Sequence, residues 1–115
     1  MMMNKYTELS DFEINKRVAE ELYYKFEAVG DLVIVTKKYV GCFLPSPVFF
    51  DPCNNPVDAM PIIIENKLTL SPRYDSDEWI SESLFYHDIY SVNKNLYRAA
   101  MEVFLMMKDA ENEKV

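Results

Sequence analysis

Apolar residues recur every four positions at Ile14, Val18, Leu22 and Phe26, with Glu13, Lys16, Arg17, Glu20 and Glu21 around the other side. This spacing predicts an amphipathic helix over roughly residues 11–24 with one buried face. Ser10 and Glu13 fit a capping box, in which each side chain satisfies a free backbone N–H. Leu9 and Ile14 fit the accompanying hydrophobic staple. Gly30 ends this helix or its exit loop.

The pattern then changes period. Residues 32–36 (Leu-Val-Ile-Val-Thr) are almost wholly β-branched or apolar, the composition of a strand buried on both faces. Lys37-Lys38 can turn the chain, and Tyr39–Leu44 reads as its antiparallel partner. Pro45 and Pro47 break that strand, leaving Val48–Phe50 as a short edge strand where nearby prolines are tolerated.

A second helix is predicted over 56–66. Asn55 can cap it, Pro56 suits the first helical position, and Asp58 places negative charge at the positive helix end. Pro61 lies close enough to the first turn to be tolerated, although its ring could bend the helix. Lys67–Ser71 alternates like a strand, Pro72–Asp77 is a polar loop, Glu78–Phe85 alternates imperfectly, and Tyr86–Tyr90 reads as one more strand. A third helix over 95–110 is apolar around most of its circumference, with Arg98, Glu102 and Asp109 as a narrow polar stripe. The fold class expected is α+β, two to three helices packed on a mainly antiparallel sheet in the order α-β-β-α-β-β-α. One domain is expected over 1–115, with frayed ends at about 1–7 and 111–115.

Composition supports a packed core: half of the 115 residues are hydrophobic and 14% are aromatic. The formal charge of −7 argues against a protein that grips a phosphate backbone. Acid is concentrated at Asp75, Asp77, Glu78, Glu82 and Asp88, with Arg73 the single base of that region. The N-terminus lacks the apolar run of a signal peptide, and no stretch reaches the ~20 apolar residues of a membrane span. Cys42 and Cys53 lack CxxC spacing and are expected to be reduced. These features place the protein in a bacterial cytoplasm.

The best candidate site is Asp51-Pro52-Cys53-Asn54-Asn55-Pro56 with Asp58, and two readings fit it. One is a ligand site, with free N–H groups of a helix N-terminus surrounded by amides and carboxylates. The other is a rigid turn in which proline fixes φ and Asn55 caps. Cys53 could be a nucleophile beside a helix N-terminus, but His87 is the single imidazole and nothing in the spacing brings it near. Arg98 opens an apolar helix and is expected to pair with Asp51 or Asp58, or with a ligand anion. Asp51, Asn54, Asn55, Asp58 and Arg98 are therefore predicted to converge. Asp75-Ser76-Asp77-Glu78 lacks the glycine and spacing of a calcium loop, and His87-Asp88 is no catalytic signature. Trp79, Tyr86 and Tyr90 suit core or interface packing. No metal, cofactor or phosphate-binding loop is indicated.

Leu9–Lys16, Phe50–Pro56 with Asp58-Ala59, Pro61–Lys67 and Arg98–Met107, taken in order, resemble the NinX-type proteins of lambdoid phages, a family of unknown function. Met60 departs from that pattern where an aromatic residue, usually tryptophan, is expected. Leu96 replaces the proline of an Asn-Pro helix start. The resemblance implies a phage or prophage accessory protein with a compact α+β domain, and no reaction. The leading expectation is a non-catalytic protein that binds a host or phage macromolecule. The alternative is a small-ligand protein that sequesters a nucleotide signal at Asp51–Asp58 with Arg98, and DNA mimicry through the acidic strands is a third.

Overall fold

In a computed structural model, residues 4–37 and 46–113 are described. Their order is α1 (Asp11–Glu21), β1 (Phe26–Val29), β2 (Leu32–Lys37), β3 (Ser46–Phe49), α2 (Pro56–Asn66), β4 (Ser71–Pro72), β5 (Trp79–Glu82), β6 (Tyr90–Asn93) and α3 (Leu96–Glu113). The class is α+β, as the alternating periods predict. The strands form two three-stranded antiparallel sheets, β1-β2-β3 and β4-β5-β6, instead of one sheet. Among the described residues, three strands lie on each side of α2, which matches the expected order roughly.

α1 begins as its sequence dictates, with the Ser10 hydroxyl accepting from the Glu13 N–H at 3.2 Å. It ends earlier than the apolar repeat suggests. Tyr23 adopts a left-handed φ of 59°, and Tyr24 N–H reaches back to the Ala19 carbonyl while Tyr23 N–H meets Glu20. These two bonds make a Schellman ending, usually closed by glycine, so the sequence carried no sign of it. Phe26 therefore lies in β1, not on α1. Gly30, with φ 60°, serves in the two-residue turn that pairs Val29 with Leu32. Glycine suits that turn because it tolerates positive φ without steric cost.

β2 pairs with β1 on one side and β3 on the other. The expected partner Tyr39–Leu44 lies outside the described residues, as does Cys42. β2 is buried on one face only. Val33 and Val35 point into the core against α1, while Leu32 and Thr36 face outward and Ile34 is half-buried. α2 matches its predicted bounds. Asn55 caps it, accepting from Val57 N–H at 3.0 Å, and Pro61 leaves it unbroken. The carbonyl that loses its donor to Pro61 belongs to exposed Val57, where water can satisfy it. Lys67 closes the helix in a left-handed conformation, again without glycine.

The strand expected at Lys67–Ser71 shrinks to one bridge, Leu68 to Ser83, and the two residues of β4. The last strand falls at 90–93, not at 86–90. Residues 83–89 instead form a turn, in which the Ser83 hydroxyl accepts from the N–H groups of Phe85 and Tyr86.

α3 is the hub of the molecule, touching α1, α2, β5 and β6. That explains why Met101, Val103, Phe104 and Leu105 are buried on successive positions around its axis. It also corrects the wet stripe. Arg98 is buried and Glu102 is only 1% exposed, so the two form a pair inside the core. Asn95 is the cap of α3, not its first residue: its side-chain oxygen accepts from Tyr97 and Arg98 N–H. The helix runs to Glu113, and Tyr6 near the other end of the chain is buried.

Candidate functional site

Three helix starts meet at one place. α1 supplies Asp11 and Asn15, the entrance of α2 supplies Asp51 to Asp58, and the entrance of α3 supplies Asn95 and Arg98. The segment 51–55 is folded as a tight turn by bonds from the N–H groups of Asn54 and Asn55 to the Asp51 carbonyl. The side chain of Asp58, at the third position of α2, accepts from the Asp51 N–H at 2.9 Å. The turn is thereby tied to the helix it precedes.

Asn15 then fixes the turn to α1. Its amide donates to Asp51 Oδ1 at 2.8 Å and its oxygen accepts from Cys53 N–H at 3.1 Å. Asn54 Nδ2 donates to Asp11 Oδ2 at 3.2 Å and to both oxygens of Asp51. Asn95 Nδ2 joins α3 to the turn, donating to the Cys53 carbonyl at 2.7 Å and to Asn54 Oδ1 at 3.0 Å. These contacts use amide side chains, each of which brings a donor and an acceptor in one neutral group.

Arg98 is the charged member of the cluster. Nη1 donates to Asp11 Oδ1 and Nε to Glu102 Oε2, both at 2.7 Å. Nη2 donates to the carbonyls of Tyr6 at 2.9 Å and Leu9 at 2.7 Å. Its carboxylate partners are thus Asp11 and Glu102, in place of the expected Asp51 or Asp58. Burial lowers the guanidinium pKa, but the bonds to Asp11 and Glu102 outweigh it and the net shift is upward. Glu102 also accepts from Ser91 Oγ at 2.5 Å and Asn4 Nδ2 at 2.8 Å, so its charge is fully bonded inside the core.

Hydrogen bonds run in a continuous chain from Arg98 to Asp11, Asn54, Asp51 and Asp58, which brings four of the five predicted residues together. Asp51 and Asn54 reach a surface cleft of about 360 Å³, lined also by Asp11, Asn15, Asp31, Phe12, Leu32 and Phe49. Asn55 is exposed and serves as a cap. Asp58, Cys53 and Arg98 are buried. The Cys53 thiol lies 3.9 Å from the Asp11 carbonyl. Burial first, and then the Asp11 carboxylate, push its pKa well above the ordinary thiol range. A neutral, enclosed thiol is a poor nucleophile.

His87 and Asp88 are exposed, in the turn that precedes β6. Among the described residues, no group of three or more His, Cys, Asp or Glu is arranged to hold a metal, and no helix is long and apolar enough to cross a membrane. Sequence reasoning missed Asp11, Asn15, Asn95 and Glu102. Two signals were present: an asparagine next to Ile14 on the buried side of α1, and arginine and glutamate four apart in an apolar helix.

A protein-family model described as Bacteriophage P22, NinX matches residues 5–108. The chain belongs to this NinX family of phage proteins. Neither the curated proteins nor the solved structures contain a match to it.

Proposed function

We propose that this phage accessory protein is a non-catalytic binding protein that contacts a host or phage macromolecule in the host cytoplasm. The observation that carries this reading is the outer face of the first sheet. Val29, Leu32 and Phe49 are 53%, 51% and 66% exposed there. Register sets Val29 beside Leu32, and Ile34 between Glu27 and Phe49. Apolar side chains grouped on one exposed face mark contact surfaces more often than those scattered singly.

The polar cluster supports the non-catalytic part. Arg98, Glu102, Asn15 and Asn95 are engaged with one another's segments, and Cys53 is buried in its neutral form. What remains open to solvent is the cleft lined by Asp51 and Asn54, whose volume falls in the range of small-molecule sites. This favours a small-ligand protein as the second reading. Its carboxylate lining suits a cation better than a nucleotide phosphate, and Arg98 is turned inward to Asp11 and Glu102.

Isolation of the tagged protein from infected cells, followed by mass spectrometry of proteins and small molecules, separates the two. A stoichiometric macromolecule is the outcome expected. A small molecule released on denaturation, with no protein or nucleic acid retained, would establish the second reading instead.

A further inference from the structure

We infer that the cleft at the α1 end of this exposed sheet face receives a basic and partly apolar segment of a partner protein. The inference rests on the binding reading and names the chemistry of the partner. Asp11 is paired with Arg98, whose charge it shares with Glu102. Asp51 is not so paired: Asn15 and Asn54, its side-chain donors, are neutral amides, and Oδ2 takes a single bond from Asn54. A carboxylate has about four acceptor positions, so Asp51 keeps room for a further donor. Asp31 adds a second negative charge from the β1–β2 turn. Among the described residues, no lysine or arginine lines the cleft.

Uncompensated negative charge thus sits beside an apolar wall of Phe12, Leu32 and Phe49. An arginine or lysine side chain satisfies both surfaces, its aliphatic stem lying on the rings while its head meets the carboxylates. A second copy of this chain would bring Asp31 and Asp51 toward like charges, on molecules of formal charge −7. Nucleic acid would bring phosphates to the same carboxylates. Charge complementarity therefore selects a basic protein segment.

The test titrates the whole protein with a short synthetic peptide in which arginine alternates with leucine, followed by amide NMR shifts. Oligoarginine and a glutamate–leucine peptide serve as comparisons. Shifts should concentrate at residues 31–33 and 49–54, with little response to the glutamate–leucine peptide. Phe49→Ser and Asp31→Lys, both in exposed positions, should each weaken binding by about tenfold or more. Asp88→Lys, the same charge change in the exposed turn between β5 and β6, should leave it nearly unchanged. Leu32→Ser replaces Phe49→Ser if the latter fails to fold by circular dichroism.

Equal weakening by Asp88→Lys, or no effect of Phe49→Ser, would mean diffuse charge attraction and overturn the inference. So would shifts on the second sheet, or a wild-type dimer that Phe49→Ser disperses. A stoichiometric partner from infected cells that a Phe49→Ser, Asp31→Lys double variant retains undiminished would overturn the cleft alone. Failure of the wild-type protein to retain any macromolecule counts against the binding reading itself.

Discussion

Nη1 of Arg98 lies 2.7 Å from Oδ1 of Asp11, an ion pair between residues 87 apart in sequence. It joins the first turn of α1 to the first turn of α3. The same guanidinium holds the carbonyls of Tyr6 and Leu9, so the approach to α1 is fixed as well. Arg98→Ala should therefore destabilise the fold by about 3–5 kcal/mol, chiefly because Glu102 is left buried without its cation. Urea denaturation measures this. A loss near zero would show that the pair is dispensable. Arg98→Lys should recover only part of the stability, since one ammonium cannot span Asp11, Glu102 and two carbonyls.

The caps give a graded comparison. Asn55→Ala removes one bond to the Val57 N–H and should lose about 0.5–2 kcal/mol. Asn95→Ala removes the cap of α3 and also the bonds to the Cys53 carbonyl and Asn54, so it should lose more. Thermal melts of the two variants side by side decide the order. Equal losses would mean that the links from Asn95 to the turn add nothing to its capping.

Which parts of this architecture were legible depends on how local their causes are. The α1 start, the α2 bounds and the apolar α3 follow from spacing and capping residues, which act within a few positions. The end of α1 did not, because Tyr23 and not glycine takes the left-handed position. The outward half of β2 was read as core because Leu32 and Ile34 are as apolar as Val33 and Val35. Sequence shows hydrophobicity but not which side a helix covers. For the cluster, the segments 51–58 and 98 stood out by residue type. Asp11 and Asn15 looked like ordinary helix residues, since their role comes from what packs across from them.

Alkaline pH should weaken the fold, and the sign follows from two neutral groups. Burial, then the Asp11 carboxylate, raise the Cys53 thiol pKa; burial, then the bond to Asp109, raise that of the Tyr6 phenol. A folded-state value raised above the unfolded one gives stability that is complete below the unfolded value and drains away above it. The loss should thus begin near pH 9, where an unfolded thiol ionises, and steepen near pH 10 as tyrosine joins. Each pH unit beyond about 9 should cost about 1.4 kcal/mol through Cys53 while its folded form stays neutral. Urea midpoints against pH for the protein and for Cys53→Ala check this. An unchanged alkaline slope in the variant would remove Cys53 from the explanation. In a Cys42→Ser background, native Cys53 should also resist a thiol reagent until the chain unfolds.

Phe104 is 1% exposed at the centre of α3, so Phe104→Ala should cost about 3–5 kcal/mol, measured by the same urea midpoints. A loss below about 1 kcal/mol would place the ring at a site that collapses without strain.

Asn15 offers the sharpest test of the neutral amides that join the cluster. Its amide donates to Asp51 Oδ1 while its oxygen accepts from Cys53 N–H, so both ends are used. Asn15→Asp keeps the shape and the acceptor but replaces the donor with an oxygen facing Asp51 at close range. Two carboxylates so placed cannot both ionise cheaply, one of them buried at position 15, and one of their pKa values must rise. The raised carboxyl is neutral in the fold and ionised in the unfolded chain at neutral pH. Stability is then complete below the unfolded carboxylate value near 4 and lost as pH rises above it. Asn15→Asp should accordingly be more destabilised relative to the parent at pH 7 than at pH 4. Asn15→Ala, which removes both bonds without adding charge, should show no such recovery on acidification. Paired urea titrations at the two pH values measure the difference. A pH-independent loss in Asn15→Asp would mean that Asp51 turns away from position 15 at little cost.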